Sequence, residues 1–188
     1  MPTKKPSKTT EVLGKIFKDK DTQYSLREFS DIDVENILKI FEKGGKFYLE
    51  CLKRKKEIEA KPEEIIRQLW LYKLNKMYGY PMDRIEVEHP VWFGQSEKTR
   101  ADIVVFYKNN DDVWIVGEIK KPDRKDGLNQ LKSYLNAKGA PIGFWSNGQS
   151  HIYLFRPFPR ESLSLMDLPK EWESVDDLLG RKMTVDDL

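Results

Sequence analysis

The chain has 188 residues, of which 34% are charged and 12% aromatic, and its formal net charge is only +2. This composition is typical of one globular domain rather than a disordered chain, and the overall charge gives no argument for nucleic acid as a partner. The single cysteine excludes an internal disulfide and a multi-cysteine zinc site, and two histidines argue against a histidine-rich metal site.

No segment has the character of a signal peptide, and no apolar run is long enough to span a bilayer. A cytoplasmic location without membrane association is therefore expected. The chain has neither a GxxxxGK[ST] phosphate loop nor a GxGxxG fingerprint, so we predict no nucleotide site in it.

The N-terminal third, residues 1–60, is predicted to be a basic arm followed by helices. Residues 1–22 are rich in Lys, Pro and Thr and are expected to form a mobile arm. Ser30 or Asp31 is a candidate cap for a first helix, and a second helix is predicted from about Lys46. The basic run Lys53–Lys56 on the second helix is either a solvated face or a patch that contacts phosphates.

The middle of the chain, residues 61–157, predicts an α/β core. Its first element is a helix from about Pro62 to Tyr78, with apolar residues at helical spacing. Glu64 in its first turn has a plain structural role at the positive end of the helix dipole, or it is a third acid near a metal site. The elements that follow are a strand from Arg84 to Phe93, a turn at Gly94–Thr99, a hairpin, a helix capped by Asp126 and ended by Gly139, and strands Ile142–Trp145 and Ile152–Phe155 around an Asn147-Gly148 turn.

The hairpin is the informative part of this core. Ala101–Tyr107 and Val113–Ile119 are apolar and β-branched, and the residues between them are all polar. If Tyr107 pairs with Val113, Asp102 lies directly opposite Glu118, with Cβ atoms about 5 Å apart.

Glu118 and Lys120 share one face of the second strand, so Asp102, Glu118 and Lys120 can converge at the end of the hairpin. Two like charges there repel unless a positive group lies between them. Two carboxylates and a lysine are what metal-assisted hydrolysis requires. A register shift of one residue would instead turn Asp102 to the other face, and the Glu118–Lys120 pair could be a solvated edge pair.

The predicted fold class is α/β, in the order helix, three antiparallel strands, helix, strand, strand, with a mixed sheet flanked by helices. The strand after the second helix is expected to pair in parallel, because a helix connects it to the hairpin. Residues 158–188 are predicted to be a tail or a truncated linker with a short helix at Val175–Leu179. The core is expected to contain Trp70, Trp92, Trp114 and Trp145.

The chain resembles the N-terminal endonuclease domain of the restriction (motor) subunit of type I restriction enzymes, within the PD-(D/E)xK nuclease superfamily. The resemblance extends from about Pro62 to Phe155, half of the chain. It is carried by the segments PEEIIRQLWLYKLNKMYGYP, RADIVVF, GEIKKP, QLKSYLNAKGAPIGFWSNG and HIYLF. It implies a restriction-endonuclease-like core preceded by an N-terminal helical extension.

The resemblance further implies Mg²⁺-dependent hydrolysis of DNA, with Mn²⁺ expected to substitute. By this resemblance Asp102 and Glu118 are metal ligands, together with the carbonyl of Ile119, and Lys120 orients or deprotonates the attacking water. Near a bound cation, the pKa of Lys120 is expected to be depressed.

Three other residues have counterparts in the resembling family. Glu64 matches its helical acid, which acts near the metal. Gln130 and Tyr134, four residues apart on one helix, match a motif beside the site that is tied to DNA handling and to coupling with the motor. The proline that names the superfamily is Ala101 here, which we do not take as a sign of inactivity.

The expected partners are DNA, a motor domain and other restriction-modification subunits, with the DNA-contacting residues left unassigned. The chain is either an excised domain or a free-standing relative. The alternative function is a catalytically silent, nuclease-like scaffold that binds DNA or assembles with a partner. A third hypothesis makes the N-terminal helices and the acidic tail docking surfaces supported by the core.

Overall fold

A six-stranded mixed sheet carries the residues that the sequence singled out. The computed structural model describes residues 8–18, 25–93, 96–108, 111–159 and 161–186. The helices are α1 (Lys8–Phe17), α2 (Asp31–Ile37), α3 (Pro62–Lys76), α4 (Leu128–Lys138) and α5 (Val175–Asp186), and the strands are β1 (Phe41–Lys43), β2 (Lys46–Glu50), β3 (Glu57–Glu59), β4 (Ile85–Phe93), β5 (Ser96–Phe106), β6 (Val113–Ile119), β7 (Ile142–Ser146), β8 (His151–Phe155) and β9 (Leu163–Leu165).

The large sheet has the strand order β4-β5-β6-β7-β8-β9. All neighbouring strands are antiparallel except β6 and β7, which are parallel. The parallel pair follows from the connection through α4, since a crossover helix returns the chain to the same end of the sheet. The predicted α/β fold class, with a mixed sheet flanked by helices, is confirmed.

Helices cover both faces of this sheet. On one face, Trp70 of α3 stacks on Phe144 of β7, with ring centroids 4.2 Å apart. On the other face, Leu131 and Leu135 of α4 pack in a second cluster that includes Val104 and Val116. Every residue of β6 is buried, which explains why its sequence is a continuous apolar run rather than an alternating one.

The prediction of a second N-terminal helix from about Lys46 is wrong. Residues 41–59 instead form a small antiparallel sheet in the order β1-β2-β3. Gly44 and Gly45 have φ of +61° and +75° and form the two-residue turn between β1 and β2, a conformation that suits glycine. The basic run Lys53–Lys56 therefore lies between β2 and β3 and not on a helix face.

The first predicted helix exists as α2, but it ends at Ile37, and Phe41 begins β1. Residues 8–17 of the predicted arm form α1, whose Leu13 is buried in the core. The remainder of the arm, residues 1–7 and 19–22, lies outside the described residues.

Three further expectations differ from the structure. β5 begins at Ser96, so the predicted turn at 94–99 is largely strand. Gly127, and not Asp126, caps α4, since the Asp126 side chain accepts hydrogen bonds from Arg124 instead. Trp92 is 51% exposed, whereas the other three tryptophans assigned to the core are buried.

Two elements lie in the segment predicted to be a tail. β9 pairs with β8 and extends the large sheet by one strand. α5 starts at Val175, as predicted, but is longer than the predicted short helix.

Candidate active site

The β5–β6 hairpin brings Asp102 and Glu118 to the same end of the sheet. The register matches the predicted one, and its continuation by one residue sets Asp102 opposite Glu118. The observed pairs are Ile103 with Gly117, Val104 with Val116, and Val105 with Ile115. An irregularity beside the loop pairs Phe106, rather than Tyr107, with Val113 and does not alter the register at the site end.

Glu118 is buried beside a second acid. It is only 1% exposed, because β6 lies in the middle of the sheet between two layers of helices. Its Oε1 accepts a hydrogen bond of 2.5 Å from Lys120 Nζ, whereas its Oε2 is shielded from solvent and has no partner among the described residues. Burial, together with the charge of Asp102, raises the pKa of Glu118 to about 7 against the opposing effect of Lys120.

Lys120 is held in its charged form by the same pair. Burial by itself would lower the pKa of Lys120, but the hydrogen bond to Glu118 and the charges of Glu118 and Asp102 outweigh burial and raise it. The sequence predicted a depressed pKa for a site that contains a cation. Without a cation, Lys120 is an ammonium group that neutralises Glu118.

Gly127 forms the wall against which Lys120 lies. Its φ is +101°, and a Cβ atom there would come within 2.6 Å of Lys120 Cε and 3.4 Å of Glu118 Cγ. The indole Nε1 of Trp145 donates a hydrogen bond of 2.8 Å to the carbonyl of Asp126 and so fixes this segment over the strand. Only glycine combines the required backbone conformation with this close approach.

Arg67 of α3 supplies the positive charge next to Asp102. Its Nη2 donates to Asp102 Oδ1 at 2.5 Å, and its Nη1 donates to Glu64 Oε2 at 2.5 Å. Burial would lower the pKa of Arg67, but the charges of Asp102 and Glu64 raise it. The other oxygen of Asp102 accepts a hydrogen bond of 2.7 Å from the N–H of Ile119. The structure therefore groups Glu64 and Asp102 around one guanidinium, and the main chain of Ile119 holds the second oxygen of Asp102.

Glu88 is an additional acid at this site. It lies in β4 between Val87 and His89, which pair with Ile103 and Ala101, so its place in the ladder is opposite Asp102. Its φ is +52°, a left-handed conformation that is rare for a residue with a side chain and is often found at functional sites. Its Oε1 lies 3.5 Å from Arg67 Nη1.

Arg54, from the turn between β2 and β3, contacts Glu88 from the other side through Nη2. This hydrogen bond is the main reason why the pKa of Glu88 is lowered. Arg54, Glu88, Arg67 and Asp102 thus form a continuous chain of alternating charges.

Gln68 makes a second connection between the small sheet and the site. It is 1% exposed, and its Nε2 donates to Glu64 Oε1 at 2.6 Å. Its Oε1 accepts a hydrogen bond of 2.7 Å from the N–H of Leu52, at the start of the turn that contains Arg54. The orientation of Glu64 is therefore fixed from two sides, by Arg67 and by Gln68.

Gln130 and Tyr134 contact each other on α4, as their spacing predicts. The Tyr134 hydroxyl is a partner of Gln130 Nε2, lies 2.6 Å from Thr99 Oγ1 and donates to the carbonyl of Arg100 at 3.3 Å. Since Arg100 is two residues before Asp102, this hydroxyl connects α4 to the part of β5 that carries the acid.

The oxygen atoms of the site are the kind of ligand that a hard cation prefers, but they are few in number. Among the described residues, no group of three or more His, Cys, Asp or Glu side chains is arranged to hold a metal ion. Asp102 and Glu118 are nevertheless opposed, and Glu118 Oε2 is a buried carboxylate oxygen without a partner. Two carboxylates and a backbone carbonyl at Ile119 could coordinate a divalent cation, provided that Asp102 shares its oxygens with Arg67.

A separate cleft of about 890 Å³ opens at the opposite end of the sheet. Tyr107, Trp114 and Trp172 are among the residues that line it, and it contains none of the candidate residues. The candidate site is defined by its buried charges and not by a deep pocket.

The sequence-based prediction of the site did not include Arg67, Glu88 or Gly127. Arg67 follows Glu64 by three residues, so a pairing on one helix face was a signal available in the sequence. The contact of Gly127 with Lys120 is not visible in the sequence, and a left-handed glycine is typical of the C-terminal end of a helix rather than of its start. Nothing in the sequence indicates the left-handed backbone at Glu88.

Comparison with known families places this site in context. Residues 62–169, more than half of the chain, match the family model described as Type I restriction enzyme R protein N terminus. The chain belongs to this family, which indicates a role connected with type I restriction enzymes. The matched span contains every candidate residue named from the sequence, whereas the small sheet lies before it.

A search of curated proteins found no match to the chain. In the part of the chain that the structure describes, no helix has both the length and the apolar character needed to cross a membrane.

Proposed function

We propose that this domain hydrolyses phosphodiester bonds of DNA with the aid of Mg²⁺, as a PD-(D/E)xK nuclease that works within a type I restriction complex. The observation that carries the proposal is the buried Glu118 opposite Asp102, with one unpartnered carboxylate oxygen and Lys120 beside it. A buried carboxylate oxygen that lacks a partner is costly, so the retention of Glu118 Oε2 beside Lys120 and Asp102 argues for a ligand.

In this proposal, Asp102, Glu118 and the carbonyl of Ile119 hold the cation, and Mn²⁺ substitutes for Mg²⁺. When bound, such a cation polarises the scissile phosphate and lowers the pKa of bound water. The family assignment supports this choice of chemistry, since type I restriction enzymes act on DNA.

The chain's own residues then have distinct roles. Lys120 holds the attacking water in position and balances negative charge on the phosphate, because its ammonium group projects from the end of β6 beside Glu118. Glu64 keeps Arg67 against Asp102, so it acts on the site through a neighbour. Gly127 and Trp145 limit the movement of Lys120.

The partners proposed are duplex DNA, a motor domain and the other restriction-modification subunits. The bonds of Tyr134 to Gln130 and to the Arg100 carbonyl support a link between α4 and the site strand. A change in the position of α4 would therefore be transmitted to Asp102.

One observation favours a second candidate, a nuclease-like scaffold that does not cut. Arg67 and Lys120 already neutralise Asp102 and Glu118. A site of this kind could be stable without a metal and could serve assembly or DNA binding alone.

Cleavage of supercoiled plasmid, by the chain alone and in the assembled restriction complex, separates the two candidates. We expect Mg²⁺- or Mn²⁺-dependent cleavage that Lys120→Ala reduces by about a hundredfold or more, a typical loss for a group that stabilises charge in the transition state. Lys76→Ala, an exposed lysine at the far end of α3, is the control and is expected to cut normally. Equal cleavage by Lys120→Ala and the wild-type protein would remove Lys120 from the mechanism, and no cleavage in either setting would favour the scaffold.

A further inference from the structure

The turn Cys51–Lys56, here called the basic turn, joins β2 to β3 and contains four consecutive positive side chains. It precedes the span that matches the family model. Two backbone hydrogen bonds of 2.9 Å close it, from the N–H of Lys55 to the Cys51 carbonyl and from the N–H of Cys51 to the Lys56 carbonyl. Lys55 has φ of +53°, a left-handed conformation that lets the chain reverse direction within these few residues.

The basic turn is attached to the candidate site at two points, through Leu52 and through Arg54. Arg54 contacts Glu88, which faces Arg67 and through it Asp102. The N–H of Leu52 donates to Gln68, whose amide holds Glu64. The turn is therefore a rigid part of the rim of the site.

The positive side chains of the basic turn divide into two pairs. Lys53 and Arg54 point back into the protein, where Lys53 Nζ donates to the carbonyl of Met82 at 2.9 Å and Arg54 contacts Glu88. Lys55 and Lys56 are exposed, and neither ammonium group has a hydrogen-bond or ion-pair partner among the described residues.

Other lysines of the small sheet behave differently. Lys43 pairs with Glu57 at 3.1 Å, and Lys46 lies 3.8 Å from Glu59. Acidic partners are thus within reach of this sheet, yet Lys55 and Lys56, on the side of the turn that leads into β3, have none among the described residues. Two unneutralised charges on a turn that is joined to an acidic site have the arrangement required to bind a polyanion while the reactive group is placed over the acids.

We propose that the basic turn binds the DNA backbone, with Lys55 and Lys56 each neutralising a phosphate beside the candidate site. This inference rests on the proposed function, because it takes DNA as the substrate, and it extends the site to a part of the chain outside the family match. Lys53 and Arg54 fix the turn, so its two outer lysines contact phosphates without a large loss of backbone entropy.

The test is binding of a labelled DNA duplex, without divalent metal, over a series of KCl concentrations. Each phosphate contact contributes roughly 0.9 to the slope of log K against log salt concentration. Lys55→Gln/Lys56→Gln should therefore bind more weakly than the wild-type protein, with a slope that is shallower by about 2. Lys76→Gln/Lys108→Gln, which removes the same charge from exposed positions away from the site, should keep the wild-type slope.

The proposal is overturned if the Lys55→Gln/Lys56→Gln protein keeps the wild-type slope. It is also overturned if the slope becomes shallower by the same amount in both double variants. An acidic protein partner would give the first of these results. Plasmid cleavage and Mn²⁺ binding by the same proteins distinguish this failure from failure of the proposed function. If the wild-type protein cuts DNA but Lys55→Gln/Lys56→Gln keeps the wild-type salt slope, only the proposal for the basic turn is refuted. If DNA binding depends on Lys55 and Lys56 but the protein does not bind Mn²⁺, only the proposed nuclease function is refuted.

Discussion

Arg67 on α3 and Asp102 on β5, 35 residues apart in the chain, are joined by a hydrogen bond of 2.5 Å from Nη2 to Oδ1. The same guanidinium contacts Glu64, so one buried cation neutralises two of the acids that a metal site would use. Coulombic repulsion between Glu64 and Asp102 is thereby relieved within the protein. The site can fold before any metal or substrate arrives.

Replacement of Arg67 should be strongly destabilising. Arg67→Met leaves the partly buried carboxylates of Glu64 and Asp102 without their counter-charge, and we expect a loss of about 3 kcal/mol in the free energy of unfolding. Urea denaturation in the presence of EDTA measures this loss in unfolding free energy. A loss below about 1 kcal/mol would show that the ion pairs do not hold the site together.

Arg84→Met is the matched control for that experiment. Arg84 is also buried and pairs with Glu171, but it lies by the far end of β5, where it donates to the Phe106 carbonyl. Mn²⁺ should restore more stability to Arg67→Met than to Arg84→Met, because only the former frees an oxygen of Asp102. Equal stabilisation by Mn²⁺ would contradict competition between Arg67 and a metal.

A side chain at Gly127 should displace Lys120. Gly127→Ala puts a Cβ atom 2.6 Å from Lys120 Cε, so we expect cleavage to fall by at least about tenfold, which corresponds to 1.4 kcal/mol or more in transition-state stabilisation. Gly139→Ala serves as the control, because Gly139 also has positive φ but has no atom within 4 Å of an added Cβ. Similar losses of activity in the two variants would mean that backbone strain, and not the position of Lys120, is responsible.

Loss of the Tyr134 hydroxyl should loosen the site strand. Tyr134→Phe removes the bonds to Thr99 and Arg100 and should cost about 0.5–1.5 kcal/mol for each bond lost, the usual net contribution of a hydrogen bond. Tyr80→Phe removes an equally buried hydroxyl, which accepts from Trp114 and donates to Pro169 away from the site. Both variants should unfold at lower urea concentrations, but only Tyr134→Phe should weaken Mn²⁺ binding, and an equal effect of the two on Mn²⁺ affinity would refute the link.

His151 should make the protein sensitive to mild acid. Burial against Phe29 and Trp70, together with the charge of Lys73, lowers the pKa of His151 to about 3. The unfolded chain binds a proton below about pH 6.5 that the folded protein refuses, so stability is lost as pH falls from about 6.5 towards 3.

His151→Phe keeps the ring contacts and removes this dependence on pH. Relative to the wild-type protein, the variant should gain about 2 kcal/mol in unfolding free energy between pH 6.5 and pH 5, at about 1.4 kcal/mol per pH unit. Urea denaturation at the two pH values gives the difference directly. A constant difference between the two proteins would show that His151 titrates normally.

The order of the core elements and the hairpin register could be predicted from the sequence, because both depend on local patterns. Apolar runs bounded by turn residues define β5 and β6, and their side chains have a period of two, so the pairing of Asp102 with Glu118 follows from the loop length. Next to the loop, Val113 pairs with Phe106 and not with the predicted Tyr107. From Val105 onward the strand pairs have the predicted register.

The sequence-based predictions that the structure corrects also failed for physical reasons. Gly44-Gly45, a two-residue hairpin signal, lies directly before the wrongly predicted second helix, and the basic run after Leu52 obscures the alternation of the short strands. Arg67 and Glu88 depend on contacts between α3, β4 and β5, which no local pattern encodes. The exposed Trp92 shows that residue type alone does not determine burial on β4.

Calorimetric titration of Mn²⁺ and Mg²⁺ into the protein tests the central claim most directly, with a DNA duplex present to complete the coordination shell. We expect binding at one site that Asp102→Asn and Glu118→Gln each abolish, whereas Asp177→Asn, which changes an exposed acid hydrogen-bonded to Ser174, should leave binding unchanged. Absence of binding in the folded wild-type protein, with and without DNA, would contradict the nuclease and favour the scaffold.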